Sequence, residues 1–235
     1  MDHDDAVLAH THSQHLRPLL LGHRGARRGA PENTFFAFDK ALREGCDGFE
    51  FDVRLSADGQ PVICHDARMH GYEIAQTAAD QLALPNLREV LKRYQSSAFL
   101  DIELKIPGLE AVTLKLLQTY PPARGYMVSS FLPQVLQVIY EMDATVPLGL
   151  ICETRAQFGL WSKLPVQSIV SQQRLVRQNV ITTLKDSGKK LYVWTVNSTT
   201  DIRRLADRGV DGIISDHPKR LARALGATIE ARNNL

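Results

Sequence analysis

The sequence predicts an α/β fold, a (β/α)8 barrel, and three observations predict it. Eight apolar, strand-like runs alternate with helix-like segments, near residues 19, 48, 97, 125, 147, 168, 191 and 209. Polar side chains stand at the C-terminal ends of all eight: His23 and Arg24, Glu50 and Asp52, Glu103 and Lys105, Ser129 and Ser130, Glu153, Gln172, Trp194 and Asp216. Barrel enzymes build their sites at that end. The third observation is that no GxGxxG follows the first strand, which weighs against a dinucleotide-binding open sheet.

In chain order, Pro18–His23 is an apolar run ending in polar residues. Asn33-Thr34 can cap a helix through Phe35, Phe38, Ala41 and Leu42 that Gly45 stops. Gly48–Arg54 is a strand. The turn Ser56–Gly59 and the short strand Pro61–His65 make a hairpin appendage on this second unit. Strands at Ser97–Lys105, Gly125–Ser130 and Pro147–Cys152 follow helices at Leu87–Tyr94, about 109–117, and Pro133–Met142. Ser168–Ser171 is the weakest strand, after a helical piece around 157–163. Helix Leu175–Lys185 precedes strand Leu191–Val196, and helix Thr200–Arg208 precedes strand Gly209–Ser215. A helix over Pro218–Leu225, opened by proline and stopped by Gly226, completes the pattern. Residues 1–17 carry four histidines without periodicity and are read as a flexible arm. Residues 18–235 form a single barrel domain.

A net charge of +2 with no basic run gives no sign of nucleic-acid binding. The acidic start Met1–Asp5 lacks the basic region of a secretory leader, and no apolar run approaches a membrane span. A cytoplasmic protein without stable membrane insertion is expected. Cys46, Cys64 and Cys152 are irregularly spaced, so buried reduced thiols are expected rather than disulfides.

The chemistry concentrates in three segments. Glu50 and Asp52 alternate with Phe49, Phe51 and Val53, so both acids leave one face of a strand while the apolar side chains fill the other. Two acids aimed at one point repel unless a cation lies between them. Glu103, on the Asp101–Lys105 strand, supplies a third carboxylate in the same barrel lumen. Three oxygen ligands without cysteine suit Mg²⁺ or Ca²⁺ rather than structural zinc. A plain ion pair between Glu103 and Lys105 is the alternative for that strand. His23 and His65 stand at strand ends beside acids, where one imidazole can accept a proton and the other donate one. Arg24 and Lys105 can offset charge on phosphate oxygens.

These motifs are similar to those of the glycerophosphodiester phosphodiesterases. The similarity lies in His23-Arg24-Gly25, Pro31–Thr34, Glu50–Val53, Pro61–Asp66, Glu103–Lys105, Val193–Asn197 and Val210–Asp216, in order from about residue 19 to 220. The resemblance implies a barrel that hydrolyses a small-molecule glycerophosphodiester to sn-glycerol 3-phosphate and an alcohol with a bound divalent metal. Glu50, Asp52 and Glu103 would hold the metal, His23 and His65 would be the acid/base pair, and Arg24 and Lys105 would contact phosphate. By the same resemblance Glu32 and Asn33 support the site, Glu32 by orienting His23 or Arg24, beside the helix-capping role of Asn33-Thr34. Trp194, otherwise a core aromatic, would wall the pocket. The glycerol 2-hydroxyl attacking first, through a cyclic phosphate, is one route.

A departure follows His65-Asp66: only 34 residues separate it from Asp101, where many family members carry a longer insertion. The pocket rim is therefore expected to be reduced, with His70 in its loop. Two alternatives stand beside this reading: a phospholipase D-like enzyme acting on lysophospholipids or sphingolipids with a cyclic product, and an inactive barrel that only binds a phosphodiester. Against the first, no secretory signal or amphipathic membrane helix is seen. The second should have lost a catalytic histidine or ligand carboxylate, and none is lost.

Overall fold

A computed structural model describes residues 17–227. Eight parallel strands close into a barrel: β1 (Leu19–His23), β2 (Gly48–Leu55), β6 (Phe99–Leu104), β7 (Tyr126–Ser130), β8 (Leu148–Cys152), β9 (Ser168–Gln172), β10 (Lys190–Trp194) and β11 (Gly212–Ser215). Closure is made by β1, which pairs with β2 on one side and β11 on the other. The short β3 (Pro61–Ile63) adds antiparallel to the outer half of β2. The small hairpin β4 (Arg68–Met69) and β5 (Tyr72–Glu73) follows it.

The helices between strands are α1 (Phe35–Arg43), α2 (Ala79–Leu82), α3 (Leu87–Tyr94), α4 (Glu110–Thr119), α5 (Pro133–Met142), α6 (Arg155–Phe158), α7 (Gln178–Asp186), α8 (Thr199–Asp207) and α9 (Pro218–Ala224). Their ends follow local chemistry. Thr34 accepts from the Ala37 N–H at the start of α1, and Asn86 and Glu89 form a reciprocal capping box on α3. Thr34 alone caps α1; Asn33 is turned elsewhere, in the left-handed region at φ 58°. The piece around 157–163 is α6 followed by a 3-10 turn at Trp161–Lys163.

Alternation along β2 divides its two faces. Phe49, Phe51 and Val53 are fully buried against the helices, where the Phe38 ring stacks on Phe49 at 4.2 Å and Tyr94 meets Phe49 edge-on at 4.9 Å. Each buried ring contributes on the order of 2–3 kcal/mol. That packing fixes the strand's rotation and turns Glu50 and Asp52 into the barrel. Gly48 permits the close approach of β6, since a Cβ there would meet the Phe99 carbonyl oxygen and backbone. Below the mouth the lumen is filled by Leu21, Met127, Ile151, Val170, Tyr192 and Ile214.

Arg17, placed by the sequence in a flexible arm, is held by paired hydrogen bonds to Asp47 at 2.6 and 2.7 Å. The rest of that arm, 1–16, and residues 228–235 of the expected domain lie outside the described residues. All three cysteines are buried and free, and among the described residues no helix is long and apolar enough to cross a membrane.

Candidate active site

At the C-terminal mouth of the barrel a cavity of about 300 Å³ is lined by His23, Arg24, Glu50, His65, Glu103, Lys105 and Trp194, among others. Asp52 lies fully buried beside it. The strand register explains the gathering: His23 is opposite Glu50 between β1 and β2, and Asp52 is opposite Glu103 between β2 and β6.

Glu50, Asp52 and Glu103 each present an oxygen to a point where all three lie within 4.8 Å of one another. Glu50 Oε1 and Asp52 Oδ1 are buried without a hydrogen-bond partner. Burial, with repulsion from Asp52, Glu103 and Asp101, pushes the Glu50 carboxyl well above its usual range. Burial and the Asp52 charge likewise lift Glu103 to about 7, against the pull of Lys105. These three residues can hold a metal ion: the set is all-oxygen, desolvated and carries unshared lone pairs, as a hard divalent cation requires.

Lys105 Nζ lies 2.6 Å from Glu103 Oε1 and 3.2 Å from Asp52 Oδ1, so the ion-pair alternative for this strand is realised together with the cluster. Arg24, in the left-handed region at φ 52°, donates its backbone N–H to Glu50 Oε2 at 2.9 Å. Its Nη1 donates to Glu32 Oε1 at 2.8 Å, and its Nε lies 3.3 Å from Asp52 Oδ2. Burial opposes the Asp52 carboxylate, but the Lys105 and Arg24 charges and the Asn33 hydrogen bond outweigh it and hold its pKa below the usual range.

Glu32 and Asn33 do not line the mouth cavity and reach it through these partners. Asn33 Nδ2 donates to Asp52 Oδ2 at 2.9 Å, and the Asp52 N–H donates to Asn33 Oδ1 at 3.3 Å.

Each histidine is backed by an acid. His23 Nδ1 is 2.7 Å from Asp216 Oδ1, and His65 Nδ1 is 2.7 Å from Asp66 Oδ1. An ionised carboxylate only accepts, so each Nδ1 carries the proton and each neutral ring keeps its lone pair on Nε2. His23 Nε2 is 3.9 Å from Glu50 Oε2. Asn197 donates to the other Asp216 oxygen at 2.8 Å, and Arg27 links Glu32 at 3.0 Å to Asp216 at 3.8 Å. The His65 carbonyl accepts from Arg54 Nε at 2.8 Å, fixing the backbone below the imidazole.

The apolar wall is Trp194 edge-on to Phe131 at 5.8 Å, with the indole N–H donating to the Val170 carbonyl at 3.0 Å. Sequence reasoning marked Asp216 only as a strand end and missed Phe131 and Arg27. Phe131 had a signal, as the aromatic directly after β7. Glu153 is exposed and Gln172 caps a 3-10 turn.

The sequence profile of the glycerophosphoryl diester phosphodiesterase family matches residues 23–116 and 114–220. A glycerophosphodiester phosphodiesterase of Caldanaerobacter subterraneus subsp. tengcongensis is 28% identical, over 88% of this chain and 97% of its own. Among solved structures, an Oleispira antarctica phosphodiesterase in complex with the product sn-glycerol-3-phosphate superposes with a TM-score of 0.81 at 25% identity, over 89% of this chain and 97% of that one. The glycerophosphodiester phosphodiesterase of Thermotoga maritima shares the fold, with a TM-score of 0.78 at 24% identity over 88% and 98%. The profile runs from the histidine that ends β1 past the aspartate that follows β11, and the chain belongs to the glycerophosphoryl diester phosphodiesterase family.

Proposed function

We propose that this chain hydrolyses a small-molecule glycerophosphodiester to sn-glycerol 3-phosphate and an alcohol, with metal dependence and with His23 and His65 as the proton-transfer pair. The observation that carries the reading is the meeting, at one cavity, of three buried carboxylates and two imidazoles each backed by an acid. Glu50, Asp52 and Glu103 would hold a divalent ion, Mg²⁺ or Ca²⁺, and when bound it would supply positive charge to offset that on the phosphoryl oxygens.

The rest of the work falls to the chain's own side chains. Arg24 and Lys105 bind and orient the phosphate, having been drawn to the mouth by the same acids. Asp216 keeps the proton on His23 Nδ1, so Nε2 is the basic nitrogen at the cavity. Asp66 holds His65 Nδ1 in the same way and balances the ring's charge when Nε2 also carries a proton. One imidazole takes the proton of the attacking hydroxyl, from water or from the glycerol 2-position, and the other gives a proton to the departing alkoxide. Trp194 and Phe131 form the dry wall against which carbon atoms of the substrate pack. Glu32 and Asn33 are positioning residues, acting through Arg24 and Asp52. Among the described residues, 18–227 form one catalytic domain.

The test is a panel of glycerophosphodiesters assayed with each divalent ion after exhaustive chelation. Release of glycerol 3-phosphate that requires Mg²⁺ or Ca²⁺ supports the reading. Full activity in chelator removes the metal assignment. A cyclic phosphate trapped before glycerol 3-phosphate accumulates assigns the attack to the 2-hydroxyl.

A further inference from the structure

Beside the mouth lies a second recess of about 410 Å³, and His65 lines both. The recess thus adjoins the site at His65. Its walls are Pro31, Ile63, Cys64, Met69, Leu84 and Pro85. One side is the segment after β3, where Met69 and Leu84 pack on a small core of Val62, Cys64, Ile74 and Leu82. The other side is the loop before α1, fixed by the bonds of Glu32 to Arg24 and Asn33 to Asp52.

Apart from the exposed His70, the polar groups at its edge are already engaged. Asp66 is bonded to His65, Glu32 to Arg24 and Arg27, Asn33 to Asp52, and the Cys64 thiol donates to the Asp66 carbonyl. No lysine or arginine lines it, so its lining favours an apolar group over a second phosphate. What faces the space is mainly apolar, and the space holds on the order of ten water-sized groups.

We infer that this recess receives the alcohol arm of the diester and selects alcohols that carry an apolar chain. The inference rests on the phosphodiesterase reading and adds a direction to it. The nucleophile forms its bond to phosphorus and loses its proton to His23. The phosphorus–oxygen bond to the alcohol breaks as the alcohol leaves into the recess, and that oxygen takes the Nε2 proton of His65, which enters the step as the imidazolium paired with Asp66 and leaves it as the neutral ring.

The test is turnover of sn-glycero-3-phospho-alkanols with ethyl, butyl, hexyl and octyl arms, with Mg²⁺ and with Ca²⁺, read as the octyl-to-ethyl ratio of kcat/KM. We expect kcat/KM to rise about twofold per methylene up to hexyl, where full burial of a CH2 gives about fourfold. Leu84→Lys and Met69→Lys should bring the ratio close to one. Val138→Lys, on an exposed position of α5, should keep the wild-type ratio. Because the ratio is taken within each protein, a loss of folded enzyme does not move it. A flat profile in an active wild type overturns the inference. So does a slope that survives both recess variants, or one seen only when the alkyl chain is attached to the glycerol. If no glycerophosphodiester, glycerophosphocholine included, is turned over with either ion, the phosphodiesterase reading itself fails and takes this assignment with it.

Discussion

His23 Nδ1 lies 2.7 Å from Asp216 Oδ1, joining the end of the first barrel strand to the residue after the last. The strand register makes the pair, because Gly22 is opposite Ser215. Asp216→Asn keeps the size of the side chain and removes its ability only to accept. The amide can then donate to Nδ1 and move the ring proton to Nε2, the wrong nitrogen for a base. We expect kcat to fall by about 10²-fold or more with KM little changed, as tautomer reversal does in other histidine-dependent hydrolases. Steady-state kinetics checks this, and a kcat close to wild type would remove Asp216 from the machinery.

The same carboxylate ties stability to pH. Burial would raise Asp216, but the hydrogen bonds from His23 and Asn197, helped by the His23 and Arg27 charges, hold it at about 2. An unfolded aspartate titrates near ~3.9. A depressed carboxylate stabilises the fold above its unfolded pKa and loses that contribution as pH falls through its folded one. The contribution is on the order of 2 kcal/mol, so urea unfolding should separate wild type from Asp216→Asn at pH 5. The gap should close towards pH 2; a gap that widens on acidification would contradict the assignment.

The barrel was legible because its strands are apolar runs with functional groups at their ends, and because β2 carries its alternation openly. The segment from 65 to 85 was harder. β4, β5 and α2 are too short to show a period, and they are held mainly by the small cluster around Ile74 and Leu82. The carboxylate cluster could be read from the alternation of Glu50 and Asp52 and of Asp101, Glu103 and Lys105, since same-face spacing is local. The backing of His23 could not, because 193 residues separate it from Asp216 and only barrel closure brings them together. Residue type reads Asn33 as a cap as well as a supporting site residue; its left-handed backbone leaves the cap to Thr34 and aims the amide at Asp52.

The carboxylate cluster gives a prediction with opposite signs in two states. Without an ion, Glu50 is a buried acid repelled by Asp52, Glu103 and Asp101. Glu50→Gln removes that repulsion and should raise the melting temperature of chelated protein by a few degrees. In the wild type, Mg²⁺ or Ca²⁺ at millimolar concentration should raise the melting temperature by binding the folded state alone. In Glu50→Gln that rise should be lost, together with turnover. Thermal unfolding with and without ion measures both, and an equal ion response in the two proteins would place the ion elsewhere.

Asn33 combines two demands, a φ of 58° and a pair of hydrogen bonds to Asp52. Substitutions can separate them. Asn33→Ala loses the bonds and forces a Cβ into the left-handed region, which costs about 1–2 kcal/mol for an ordinary residue. Asn33→Gly loses the same bonds but accepts that backbone freely. Both variants take the amide donor from Asp52, fully buried, and leave it only the Arg24 and Lys105 charges, at a further cost of about 1–3 kcal/mol. Chemical denaturation should therefore rank wild type above Asn33→Gly, and Asn33→Gly above Asn33→Ala by about 1 kcal/mol. Because Asp52 loses the same partner in both, ion affinity should fall by a similar factor, about tenfold, in the two variants. Equal stability of the glycine and alanine variants would show that the loop relaxes out of the left-handed turn. Unchanged ion affinity in both would show that Asn33 does not position Asp52.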